Sequence, residues 1–271
     1  MLMSVCLFAC GQKEPEPEPD PGVETVEIEH HDRKVSVDVY RPNKSRFPVV
    51  IMSHGFNGSK NDFKTEAEFL MDCGIGAITV QFCGSGMSDK SGFPSTSMTL
   101  LTEKEDLIAV MGYAKSLKWF NGDLYLFGGS QGGMISAMAG HDRAEDVKGM
   151  VLMFPAFNIP HDWTSETGFY PSSRYPTYES IPATIDWGGV KLGRDFIWTL
   201  RDIDVFEKMP AFTKPVMLLH GDKDTTVPLS YSERAKDTYP NAELTVYPNA
   251  GHGFSRTVMN DVEEKLLDFI H

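Results

Sequence analysis

The stretch "LYLFGGSQGGM", Leu124 to Met134, decides how this chain is read. Four glycines surround one serine and one glutamine, after a short apolar run and before the small-residue run "ISAMAG". A glycine cluster between a predicted strand and a predicted helix cradles a phosphate, bends a nucleophile into the open, or only turns the chain. A Walker loop needs Gly, four residues, then Gly-Lys-Ser/Thr, and that pattern is absent. The dinucleotide pattern Gly-x-Gly-x-x-Gly fails because Ser130 stands at its third position counted from Gly128. What fits is Gly-x-Ser-x-Gly: Gly128, Ser130 and Gly132.

The spacing has a steric reason. A serine presented at a sharp strand-to-helix turn has a strained backbone, and its neighbours two residues away approach so closely that side chains would collide. The helix that follows aims unpaired N–H groups and the positive end of its dipole at the reaction centre. A bare Gly/Ser turn fits the same five letters, so the reading depends on partners. A serine hydroxyl needs a base, and the base needs an orienting acid, in the chain order serine, acid, histidine. Of the later histidines, His252 lies in the glycine-flanked loop "NAGHGF" after the last predicted strand. His141 follows the serine's own helix, His161 falls in the irregular segment 155–209, His220 ends a strand, and His271 is terminal. The loop "HGDKDTTVP" offers two acids, Asp222 and Asp224. The tetrahedral oxyanion needs preorganised donors. The N–H of Gln131 is one candidate, and the N–H of Phe56, in "HGFNG" after the strand "VVIMS", is the other.

From residue 47 onward, predicted strands alternate with predicted helices, which builds a mostly parallel sheet with helices on both faces. "ETVEIE" and "KVSVDVY" flank "HHDR" and read as an N-terminal hairpin. Residues 155–209 break the alternation. They are rich in proline and aromatic residues with weak periodicity, and a segment that long is usually functional. We read them as a cap inserted over the C-terminal edge of the sheet, where open α/β sheets bind ligands. Trp163, Asp162 and His161 are its candidate substrate contacts. For most cap aromatics, a small core of the cap's own is the plainer expectation.

The net charge of −13 argues against a nucleic-acid backbone as the main ligand. Nothing in the chain calls for a cofactor, and no Cys/His spacing or HExxH motif resembles a zinc site. Cys73 and Cys83 bracket the predicted strand "GAITVQF", whose ends lie too far apart for a disulfide, so both are expected to be free. The start, "MLMSVCLFACGQKEPEPEPDPG", is too short in its apolar run to span a bilayer. It resembles the end of a bacterial lipoprotein signal peptide, with "LFAC" placing the lipid on Cys10, although no basic residue precedes the apolar run. The acid–proline tract that follows stays extended and solvated. Residues 1–22 are thus expected to be signal remnant and linker, and residues 23–271 the folded domain. The protein is then an exported lipoprotein, periplasmic or on the cell surface, that meets the membrane only through Cys10.

With these pieces in place, the chain from about residue 24 to 270 resembles an α/β-hydrolase. "SHGFNGSKNDF", "GGSQGG", "FTKPVMLLHGDKDTTVP" and "AGHGF" together are similar to bacterial feruloyl (cinnamoyl) esterases, which also carry an inserted cap. The resemblance selects Asp224 through its Gly-x-x-Asp-x-x-Val-Pro spacing. It implies a Ser130–His252–Asp224 triad, an oxyanion hole from Phe56 and Gln131, and a cap shaping an aromatic acyl pocket. The expected partner is a small ester or an acylated oligosaccharide. One departure is Gly129, where these esterases usually have histidine. A serine peptidase or lysophospholipase of the same fold, or an inactive binding lipoprotein, are the competing readings.

Overall fold

The computed structural model describes residues 21–271. Cys10 and most of the acid–proline tract lie outside them. The described residues form an eight-stranded sheet in the order β1-β2-β4-β3-β5-β6-β9-β10. The N-terminal hairpin, β1 (Gly22–His30) and β2 (Arg33–Arg41), joins the edge antiparallel, with β2 paired to β4 (Gly76–Gln81). From β4 the sheet is parallel through β3 (Phe47–Ser53), β5 (Phe120–Gly129), β6 (Gly149–Met153), β9 (Val216–Gly221) and β10 (Ala242–Tyr247).

The continuous apolar strands are buried on both faces, which explains their lack of polar alternation. On β3, Val49 and Ile51 face one core while Val50 and Met52 face the other. Helices α2 (Leu100–Ser116) and α3 (Gln131–Asp142) cover the first face through Leu107, Val110, Met134 and Ile135. Helices α1 (Lys64–Asp72) and α7 (Arg256–Ile270) cover the second through Ala67, Leu70, Val262 and Leu266. Helix α2 starts at a capping box formed by Thr99 and Thr102, and Ser255 caps α7. Asn121 and Gly122 lie inside β5, where the pairing with β3 slips between Phe47 and Val49. Cys73 and Cys83 are free. No helix of the described residues is long and apolar enough to cross a membrane.

The segment between β6 and β9 holds more regular structure than its periodicity indicates. It contains α4 (Ile159–Thr164), an antiparallel hairpin of β7 (Thr184–Trp187) and β8 (Val190–Gly193), and α5 (Arg194–Leu200). The strands have four residues each, too short to carry an alternating pattern. Trp163, Ile185, Leu192 and Phe196 join the core on the α2/α3 side, so the cap packs continuously with the body. Ser95 Oγ donates to Lys191 O at 2.7 Å and ties β8 to the loop before α2. After β9, α6 (Leu229–Thr238) leads to β10.

A buried ion pair docks the hairpin on α2. Arg33 Nε donates to Asp106 Oδ1 at 2.6 Å, and Asp106 Oδ2 accepts from Cys83 N at 3.0 Å. The two side chains are 5% and 0% exposed, so removing one leaves the other's charge uncompensated in the interior. Arg33→Met is therefore expected to lower stability by roughly 3–5 kcal/mol in urea unfolding. A loss below about 1 kcal/mol, the range of exposed pairs, would contradict this account of the docking.

Candidate active site

Ser130 stands between β5 and α3 with φ 54 and ψ −123, a conformation that a non-glycine residue keeps only where its surroundings impose it. The two flanking glycines show why. A methyl at Gly128 would lie 2.3 Å from Gly132 O, and one at Gly132 would lie 2.2 Å from Ser53 O. Backbone bonds brace the turn from β6: Ser130 N donates to Met153 O at 3.0 Å, and Ala156 N donates to Ser130 O at 2.9 Å.

The loops at the C-terminal ends of β9 and β10 bring the other two groups. His252 Nε2 lies 3.0 Å from Ser130 Oγ, and His252 Nδ1 lies 2.8 Å from Asp224 Oδ2. With the carboxylate accepting from Nδ1–H, Nε2 is left to accept from the serine hydroxyl. Asp224 is fully buried, and its Oδ1 accepts from Thr226 N at 2.8 Å and Val227 N at 2.9 Å. Asp222 instead accepts from Asn249 N at 2.6 Å, bracing the loop that carries His252. Burial holds His220 below the usual imidazole range. Its Nε2–H donates to Val227 O at 2.9 Å, and its Nδ1 accepts from Ser232 Oγ at 2.7 Å, which supports the acid loop from beneath. His141 pairs with the Tyr239 hydroxyl at 2.8 Å, and burial takes it down to about 4.

The loop after β3 abuts the serine: a methyl at Gly55 would stand 3.2 Å from Ser130 Cβ and 3.7 Å from Oγ. Phe56 and Gln131 both line the cavity above it, and their backbone N–H groups have no backbone acceptor among the described residues. His54 braces this loop, a role that the sequence alone does not show. It is buried, its Nε2 accepts from Phe82 N at 3.3 Å, and its Nδ1–H donates to Gly55 O at 2.7 Å, which anchors this loop to the end of β4. Its signal was only the "SHGF" string, which an ordinary strand-end turn shares.

A cavity of about 670 Å³ opens over Ser130. On one side it is walled by the cap residues Trp163, Phe169, Trp187 and Phe196. Ile159, Asp162 and Trp163 reach it together because positions i, i+3 and i+4 share one face of α4. His161 is the exception among the expected contacts. It sits on the outer face of α4, its side chain is 62% exposed, and it does not line the cavity. Trp163 does two jobs, since it lines the cavity and also packs edge-on against Trp187 and Phe196. Asn158 was also missed. It precedes α4, with its Nδ2 on Asp162 Oδ2 at 2.7 Å and on Thr226 O at 3.1 Å, joining the cap to the acid loop. An Asn just ahead of Ile-Pro is a helix-start signal that could have found it. The tip of the cap hairpin rests on the loop after β3, where Asn57 Nδ2 donates to Gly188 O at 3.2 Å.

Gly129 has a steric explanation. A methyl there would lie 3.1 Å from Phe63 Cζ and 3.6 Å from Phe154 Cε2. Phe154 packs on the His252 ring at 4.7 Å. The lining includes the carboxyls of Asp62, Glu66 and Asp162 and no Lys or Arg, which disfavours an anionic ligand. Among the described residues, His30, His31 and Glu105 bring ligand-type atoms within 4.8 Å of one another at the β1–β2 turn, but Arg33 already donates to Glu105.

The chain matches the family model described as serine aminopeptidase, S33, over residues 44–207, and a model for TAP-like proteins over residues 198–270. The bifunctional esterase/perhydrolase DCH of Acinetobacter calcoaceticus is 30% identical over 109 residues, 38% of this chain and 40% of that protein. The acylamino-acid-releasing enzyme of Mus musculus is 26% identical over 239 residues, 79% of this chain and 30% of that enzyme. The matched stretches thus span 40% or less of these relatives. Among solved structures, Est1E from Butyrivibrio proteoclasticus with ferulic acid bound aligns with a TM-score of 0.80 at 28% identity, covering 90% of this chain and 99% of that one. The dienelactone hydrolase of Anabaena variabilis aligns with a TM-score of 0.64 at 15% identity over 93% of this chain and 99% of that one, a likeness of fold. With the first model spanning more than half of the residues and Est1E aligning over 90% of the chain at a TM-score of 0.80, the chain belongs to the serine aminopeptidase, S33, family and is a hydrolase of the α/β-hydrolase superfamily.

Proposed function

We propose that the protein is a serine carboxylic-ester hydrolase that works through an acyl-enzyme. Its proposed substrates are feruloyl, cinnamoyl or other short or aromatic acyl esters of plant polysaccharide. The observation that carries this reading is the hydrogen-bonded series Ser130–His252–Asp224 opening into an aromatic-walled cavity. The likeness to Est1E supports the aromatic acyl group.

In the first step Ser130 Oγ attacks the ester carbonyl carbon while its proton passes to His252 Nε2. The carbonyl oxygen becomes an oxyanion held by the N–H groups of Phe56 and Gln131, each such donor being worth roughly 2.7–4 kcal/mol. Collapse of the intermediate re-forms the carbonyl and breaks the ester C–O bond, and the alcohol departs with the proton from His252. Water then attacks the acyl-enzyme by the same route and releases the acid and free Ser130. Asp224 fixes the histidine tautomer and stabilises the imidazolium. We further propose that the enzyme is exported and tethered through Cys10, which the acid–proline tract would hold off the membrane surface.

The S33 model and the mouse acylamino-acid-releasing enzyme favour one competing reading, a peptidase of the same fold. A panel of methyl ferulate, acetylated xylan, short and long nitrophenyl esters and aminoacyl arylamides separates the two. The highest kcat/KM is expected on methyl ferulate, and a preference for arylamides would transfer the protein to the peptidases. Ser130→Ala is expected to cut turnover of nitrophenyl acetate by roughly ten-thousand-fold or more with an unchanged circular-dichroism spectrum. Undiminished turnover sinks the assignment. Trp187→Ala is expected to lower kcat/KM on methyl ferulate by roughly three- to ten-fold and to leave nitrophenyl acetate little changed. Equal losses on both esters would remove Trp187 from the acyl pocket.

A further inference from the structure

The residue after the nucleophile is held by a buried carboxyl that the mechanism above does not use. Glu103 lies in the first turn of α2 and is 1% exposed. Its Oε2 accepts from Gln131 Nε2 at 2.7 Å, and its Oε1 has no partner among the described residues. Gln131 is itself 3% exposed and opens α3, so this bond joins α2 to the first peptide of the nucleophile helix.

Asp106, one turn further along α2, is the informative contrast. It is just as deeply buried, but Arg33 lies on one of its oxygens and Cys83 N on the other. Glu103 has no cation and only a neutral amide donor. A carboxyl in that position avoids ionising. Burial pushes Glu103 up to about 8, the hydrogen bond from Gln131 works against the rise, and the charge of Asp106 adds to it. Asp106 is the charged group that acts on Glu103 from α2, Gln131 faces it from α3 without charge, and Arg33 of β2 is engaged with Asp106.

We propose that Glu103 is a positioning residue for the oxyanion hole, which fixes the Gln131 peptide while neutral and turns the enzyme down when it ionises. The inference rests on the hydrolase reading in one respect, that the Gln131 N–H is an oxyanion donor. Below its transition the neutral carboxyl accepts from the Gln131 amide and adds no charge near the reaction centre. Above it a buried anion stands behind the N-terminus of α3 and opposes the negative charge that develops on the substrate oxygen. The linkage also reaches the fold: the native carboxyl has the raised value, so the stability it contributes is full below the ordinary carboxyl value of 4.5, falls as pH rises above it and is gone by about 8.

The test uses two readouts from about pH 6 to about pH 10: kcat for nitrophenyl acetate, and the rate at which a fluorophosphonate labels Ser130. In the wild type both are expected to fall roughly ten-fold across an alkaline limb, with KM unchanged. The midpoint of that limb is expected near pH 8. In Glu103→Gln the side chain still offers Gln131 a carbonyl acceptor but cannot ionise, so the limb is expected to vanish. In Gln131→Met the hydrogen bond that holds the Glu103 value down is gone, so the midpoint is expected to move upward. Superimposable profiles for wild type and Glu103→Gln overturn the proposal, and so does a midpoint unmoved in Gln131→Met, which decides the matter if the first variant fails to fold. If no ester is turned over but the probe still labels Ser130, the ester-hydrolase reading alone fails, and the labelling profile still decides the role of Glu103.

Discussion

The backbone of Ser130, held at φ 54, is the constraint on which the site depends. An unsupported chain would relax that conformation, at a gain of about 1–3 kcal/mol. Here it cannot relax, because three neighbouring elements grip the turn. Gly132 lies against the end of β3, Met153 O and Ala156 N close on Ser130 from β6, and α3 begins immediately afterward. The strain therefore becomes aim: the hydroxyl stands clear of the sheet, within reach of an imidazole carried by a loop 122 residues further along the chain.

Around this point the sheet order has a simple effect. Strands β3, β5, β9 and β10 are parallel, so the loops after them emerge at one edge. Each loop brings one component of the proposed site: Phe56 as oxyanion donor, Ser130 as nucleophile, Asp224 as acid and His252 as base. Each is also stiffened by a buried group of its own. His54 bonds the first loop to the end of β4, His220 supports the acid loop, and Asp222 braces the histidine loop. Such bonds let loops hold a hydrogen-bonded series that would otherwise carry a large ordering entropy.

The turn at Ser130 and the parallel sheet were legible in the sequence because local sterics and long apolar runs leave few alternatives. Nothing but glycine fits at 128 and 132, and the five-residue motif shows it. The choice of Asp224 over Asp222 was less accessible, since both acids follow one strand and both make loop-bracing bonds. Only the resemblance chose between them. The cap hairpin was illegible because its four-residue strands are held by contacts with distant segments, such as Ser95 to Lys191. Histidine 161 was misplaced for a related reason: sequence brings it next to Asp162, but the turn of α4 carries it to the opposite face. His54 and Glu103 take their roles from tertiary partners, and no local pattern announces such partners.

Gly129 shows how one position redistributes work around the site. In the esterases this chain resembles, a side chain at that place stands beside the serine. Here the space belongs to Phe63, whose ring meets Phe127 edge-on at 5.0 Å and reaches within 3.1 Å of where a Cβ at 129 would be. The wall next to the nucleophile thus comes from the start of α1 rather than from β5. Phe63 lies at the end of the same loop that begins with Gly55 and Phe56. That loop consequently supplies both the candidate oxyanion donor and a wall of the cavity, and the cap hairpin rests on it through Asn57. The loop is itself anchored at several points, by His54, by the backbone of Asn57, by Ser88 Oγ on Gly58 O at 2.9 Å and by Lys60 Nζ on Asp38 at 2.7 Å, so cap, loop and serine turn are joined through direct bonds.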